Sequence, residues 1–168
     1  MTPELHQAFS VLDERMNDLI SKVQSLSPEL QRLPVGKSFS PAEMLDHMGM
    51  TEASYLPFME AARKQPLPHA PSQPSLFFKV YKMFTKRMKS GSKVTVPAPS
   101  NLVPVNVKDV NESAAAWRDA RVKVLEFLKD FDDDVQCIHH KMFGKISPRQ
   151  IHDLFSTHQN YHETRLPQ

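Results

Sequence analysis

Apolar residues recur at helical spacing from the start of the chain. Leu5, Phe9, Leu12, Met16, Leu19, Val23 and Leu26 are separated by three or four positions, so they share one face of a helix over 3–26. The breakers Ser27-Pro28 and Pro34-Val35-Gly36 close it. Ser40-Pro41-Ala42-Glu43 opens a second helix. Here a Ser N-cap, a Pro in the first helical position and an acid three residues on make a capping box, with the hydroxyl and the carboxylate each engaging the other residue's amide. This helix is predicted to run to about Arg63. Four prolines interrupt residues 65–75, which read as a linker or extended segment, and Leu76 to Met88 reads as a short helix. The Val- and Pro-rich stretch 94–106 reads as extended. Asp109-Val-Asn-Glu112 then starts a helix to about Phe131, with Trp117, Ala120, Val124, Phe127 and Phe131 facing inward. Ser147-Pro148-Arg149-Gln150 repeats the cap of the second helix and starts the last one, to about Arg165.

Composition narrows the fold. With 4 Gly against 14 Pro in 168 residues, folds that need many positive-φ turns are disfavoured, and so are Gly-rich phosphate loops. Four amphipathic helices read as an all-α four-helix bundle, one domain over 1–168, with a long crossover at 65–108. No apolar run is long enough to span a membrane, and the first residues lack the pattern of a signal peptide, so a cytoplasmic location is expected.

Charge is unevenly spread. The net charge is only +2, yet residues 61–108 hold nine Lys/Arg and no acid, leaving twelve basic and nineteen acidic residues elsewhere. Six of those cations lie between Lys79 and Lys93, interleaved with aromatic residues. With Phe77, Phe78, Tyr81 and Phe84 these cations could contact an anionic membrane or nucleic acid, but the favoured reading is a helix whose apolar side covers the bundle mouth or a subunit contact while its lysines stay solvated. One short helix makes few phosphate contacts, so no nucleic-acid partner is expected. Lys82, Lys86 and Arg87 are weak candidates for drawing an anionic substrate or thiol toward a site.

Eight His and one Cys restrict the metal chemistry. The single Cys137 excludes multi-cysteine zinc and iron–sulfur sites, and its acidic neighbours, Asp132 to Asp134, should raise its pKa, so it is read as inert. His158 and His162 lie one turn apart on the last helix, in a sector of roughly 100° shared with Ile151, Leu154 and Phe155. A lone His-x-x-x-His pair is often just a satisfied core pair. Two imidazoles on an apolar stripe nevertheless invite a shared divalent ion such as zinc. His47, at the margin of the second helix's apolar face, can supply a third ligand, and three His leave a coordination position open for water or substrate. Such an ion would make water or a thiol usable as a nucleophile near neutral pH. Glu43, Asp46 and Thr51 near His47, and Tyr161 beside the pair, are the candidate catalytic side chains. Glu43 and Asp46 are read first as capping or surface residues, because carboxylates are seldom buried unpaired. His139 and His140 are placed in a loop, His152 some 100° off the stripe, and His6 and His69 at the surface.

Two blocks of residues resemble a known family. Phe39-Ser40-Pro41-Ala42-Glu43-Met-Leu-Asp46-His47-Met is similar to the second-helix signature of the DinB/YfiT-like superfamily of bacterial metal-binding four-helix bundles, with Phe39 where Trp is usual. Phe143-Gly144-Lys145-Ile146-Ser147, followed by the helix bearing His158-Gln-Asn-Tyr161-His162, is similar to its C-terminal block. The resemblance implies an up-down-down-up bundle with zinc or nickel at His47, His158 and His162, often in a homodimer. It also implies an enzyme that transfers a low-molecular-weight thiol, or a hydrolase, acting on a small molecule. The alternative is a non-catalytic ligand-binding or stress-response protein.

Overall fold

The structure is a computed structural model describing residues 1–34, 39–88, 99–105 and 109–166, with residues 84–88 described by their backbone alone. Helix α1 (Pro3–Gln24) is followed by the short α2 (Pro28–Arg32), α3 (Pro41–Ala53) and α4 (Leu56–Lys64). After strand β1 (Gln73–Pro74) come α5 (Leu76–Met88), a 3₁₀ turn (Ser100–Leu102) and α6 (Val110–Leu128). Strands β2 (Ile138–His140) and β3 (Gly144–Ile146) precede α7 (Pro148–Glu163). The protein is mostly helical and carries a small antiparallel sheet in the order β1-β3-β2. Among the described residues no helix is long and apolar enough to cross a membrane.

Both Ser-Pro starts form as the sequence predicts. In α3 the Ser40 amide donates to Glu43 Oε2 at 2.8 Å, and in α7 the Ser147 amide donates to Gln150 Oε1 at 3.1 Å. The helix expected to run unbroken from 41 to 63 is instead two, with a turn at Ser54-Tyr55. Pro57 explains the break, because it has no N–H to donate to the carbonyl four residues back. Pro28, expected only to break α1, also opens α2 behind an N-cap from Ser27. The sheet was not foreseen: residues 73–74, read as linker, pair with β3, and His139 and His140, placed in a loop, lie in β2. These strands are two or three residues long, too short to show a period. Of the stretch 94–106 expected to be extended, residues 99–105 are described and Ser100–Leu102 there forms the 3₁₀ turn, whereas 94–98 and 106 lie outside the described residues, as do Val35-Gly36 and the basic residues Lys89 and Lys93.

The pairing of side chains fixes the senses of the helices. Asp13, Asn17 and Gln24 of α1 bond Arg121, Arg118 and Asn111 of α6, so these two run in opposite senses. Ala8 and Arg15 of α1 meet His152 and Asn160 of α7 in the same sense. Gly49 and Glu52 of α3 meet Trp117 and Arg121 of α6, again in the same sense. Gly49 is what lets α3 and α6 approach, since a Cβ there would lie 3.3 Å from the Trp117 backbone.

The core is split in two. One apolar cluster gathers Leu5, Phe9, Leu12, Tyr55, Phe127, Ile138 and Phe155, and the other Met16, Leu19, Leu45, Met48, Ala114 and Trp117. Asp13, Glu52 and Arg121 occupy the chain positions between the clusters on their three helices, and they are bonded to one another.

Candidate metal centre

The capping boxes set where α3 and α7 begin, and each helix then delivers its histidines a fixed number of turns in. His47 Nε2 and His162 Nε2 each lie 3.1 Å from His158 Nε2. One ligand atom from each ring falls within 4.8 Å of the others, a group able to hold a metal ion. His47 and His162 are buried and His158 is partly so. Phe39 packs over two of the rings, its centroid 4.9 Å from that of His47 and 6.3 Å from that of His162.

The protonation pattern follows from the partners. His47 Nδ1 lies 2.7 Å from the Leu102 carbonyl, which can only accept, so this nitrogen carries the proton and Nε2 presents a lone pair. Burial holds all three imidazoles neutral. It lowers the pKa of His47 against the opposing Leu102 bond and Asp46 charge. It brings His158 down to about 3, with His47 adding to the effect, and His162 well below its ordinary value, with His158, His47 and Arg165 adding. His158 Nε2 offers either one proton or one lone pair to two neighbouring nitrogens, so at least one of the two close N···N contacts is left without a direct hydrogen bond. A divalent cation among the three nitrogens would satisfy all of them. The donor set therefore fits such an ion.

The other candidates are placed as follows. Glu43 caps α3 as expected, its carboxylate engaged by the Ser40 amide. Asp46, expected at the surface, is buried at 4% exposure, where its charge acts on His47. Thr51, one turn beyond His47, has a buried hydroxyl with no hydrogen-bond partner among the described residues. Tyr161 is half-buried beside His162, with the Arg165 guanidinium 3.6 Å from its ring centre. Lys82 is paired with Asp153 at 2.6 Å, and the side chains of Lys86 and Arg87 lie outside the described residues. Cys137 is inert as expected, but the cause differs: burial, rather than its acidic neighbours, pushes the thiol up to about 12.

A family model for the DinB superfamily matches residues 4–163. The chain belongs to the DinB superfamily. No curated protein and no solved structure matches it. The DinB superfamily is known as a metal-binding fold, and in this chain His47, His158 and His162 lie close together.

Sequence reading missed three features of this DinB chain. The Leu102 carbonyl comes from the crossover, and no local signal marks it as the partner of His47. Glu52 and Arg121 were legible in principle: each falls on its helix's apolar stripe, between Met48 and Tyr55 and between Trp117 and Val124. His140 is buried against Tyr55, Phe58 and Phe143. Its burial depends on the hairpin, which has no strong period of its own.

Proposed function

We propose that this DinB protein is a divalent-metal-dependent enzyme in which His47, His158 and His162 hold zinc or nickel. The reaction is transfer of a low-molecular-weight thiol to a small electrophile, or hydrolysis. The observation that carries this reading is the convergence of three neutral imidazole nitrogens that direct hydrogen bonds between them cannot all satisfy. The senses in which α1, α3, α6 and α7 pair support the up-down-down-up bundle. The ion supplies Lewis acidity to a thiol or water. The chain's part is to hold and orient. The Leu102 carbonyl keeps His47 in the tautomer that offers Nε2, and Phe39 covers the rings against water. The Thr51 hydroxyl, unpartnered among the described residues and buried one turn from His47, is placed to receive a hydrogen bond from a bound substrate or donate one to it. Tyr161 lines the same end of α7. Asp46 biases His47 electrostatically, and Glu43, engaged in its cap, is left a structural part.

The test is metal analysis of protein purified without a chelator or a metal-binding tag. Wild type is expected to carry a stoichiometric divalent ion and His158→Ala to lose it. Loss of a direct ligand should weaken affinity by more than the roughly 10–100-fold that outer partners are worth. Metal-free wild type that also fails to take up zinc or nickel sinks the reading. With metal bound, a screen of thiol-conjugation and hydrolysis substrates follows, and a metal-loaded protein that binds ligands without turnover points to the non-catalytic alternative.

A further inference from the structure

Helix α5 leaves one of its apolar sides outside the core. At 100° per residue, Leu76, Val80 and Met83 fall in one sector about 60° wide, and Phe78 lies nearly opposite. It is Phe78 that is buried, while Leu76 is 77% exposed, Met83 53% and the neighbouring Phe77 46%. A second segment, remote in sequence, brings the same chemistry to the same place. Ser75 bonds the carbonyls of Met142 and Phe143, and the Phe77 ring packs 5.8 Å from that of Phe143. The hairpin turn Lys141-Met142 therefore sits beside the start of α5, with Met142 43% exposed. Exposed Lys79, next to these side chains round the helix, and Lys141, next to Met142 in the turn, border them, and Lys82 lies over the Phe78 ring and is paired with Asp153.

We propose that the first turns of α5 and the Lys141-Met142 turn form a docking surface for an anionic lipid membrane, on which the protein lies without spanning it. Apolar side chains rimmed by lysines match the boundary between acyl chains and acidic headgroups, where each basic residue is drawn to the surface potential. A second copy is a poor occupant, because a two-fold contact would bring together two copies of the same lysine-bordered surface, with no acid on it to offset the like charge. Nucleic acid offers phosphates to the lysines but nothing to Leu76 and Met83.

The test is co-sedimentation with vesicles of phosphatidylcholine alone and of phosphatidylcholine mixed with phosphatidylglycerol. Binding is expected only to the mixed vesicles and should weaken as salt is raised. Lys79→Gln/Lys141→Gln should reduce it about 25-fold, at roughly fivefold for each lysine. Leu76→Glu/Met83→Glu should abolish it, with circular dichroism and metal content unchanged. If that variant misfolds, the lysine variant decides alone. No binding to mixed vesicles, or binding that survives loss of the lysines, overturns the proposal. So does a Leu76→Glu/Met83→Glu variant whose main effect is to split a dimer, since the occupant is then a second copy.

Discussion

Arg121 Nε of α6 donates to Glu52 Oε2 of α3 at 2.7 Å, and both residues are 1% exposed. Burial alone would lower the Arg121 pKa, but Glu52 and Asp13 more than reverse it, so the guanidinium is held charged in the interior. Trp117 Nε1 donates to the same carboxylate at 2.7 Å. Two charges, an indole and the Asp13 carboxylate are thus bonded together between the two apolar clusters. Glu52→Ala leaves Arg121 buried with only its partly exposed Asp13 contact, and should lower stability by about 3–5 kcal/mol. Glu52→Leu/Arg121→Met, which removes both charges, should cost much less. Urea unfolding followed by Trp117 fluorescence measures both, and equal losses in the two variants would show that the pairing itself matters little.

The two glycines with close neighbours should respond unequally to alanine. At Gly49 a Cβ would meet the Trp117 Cα and N at 3.3 Å, which α6 can relieve by a small shift. Overpacking costs about 1–3 kcal/mol, offset by about 1 kcal/mol of helix propensity. Gly144 has φ +80°, and its Cβ would stand 2.8 Å from the Ser75 amide and 2.9 Å from the Gln73 carbonyl, both backbone. Neither can move without breaking β1 from β3. Gly144→Ala should therefore be the more damaging, by at least ~2 kcal/mol in all, and should expose amides around Gln73–Ser75 to hydrogen exchange. A milder effect than that of Gly49→Ala would refute this ranking.

His140 gives the fold an acid-sensitive point away from the three-histidine group. Its Nδ1 accepts from the amides of Met142 and Phe143 at 3.2 and 3.3 Å, and so caps the hairpin turn in the neutral form. Burial, helped by His139, lowers its pKa from 6.5 to about 4. A base whose folded pKa is depressed gains a proton first in the unfolded state. Its stabilisation is full above about 6.5 and is lost as pH falls toward 4. His140→Asn keeps an acceptor in place of Nδ1 but cannot titrate. The loss of stability between pH 7 and pH 4 should be shallower in this variant than in wild type, measured by urea unfolding across that range. Parallel curves would assign the acid sensitivity to the other buried histidines.

What could be read from the chain was what is encoded within a turn or two of helix. Ser40 and Ser147 each start a helix with a reciprocal cap because every atom involved lies within four residues. Of the residues expected on the inner face of α6, Trp117, Ala120, Val124 and Phe127 are buried, since a 3.6-residue period is a local property, while Phe131 lies past the helix end at Leu128 and is only partly buried. The same period places His158 and His162 on one face before any partner is known. Where the reading failed, a single residue outweighed the period, as Pro57 did in splitting α3 from α4, or the element was too short to have one, as with β1, β2 and β3.

By itself, then, the sequence determined the helical character of this protein, the starts of its main helices and the identity of three histidines able to act together. Only the tertiary structure decided that His47 meets the other two through Nε2, because the carbonyl that orients it belongs to Leu102, 55 positions along the chain. It also decided that Glu52 and Arg121 lie inside the core, and that Leu76 and Met83 lie outside it. The physical reason is the same in each case. Periodicity states which residues share a face, but which neighbour that face meets, or whether it meets one at all, is set by contacts between segments far apart in the chain.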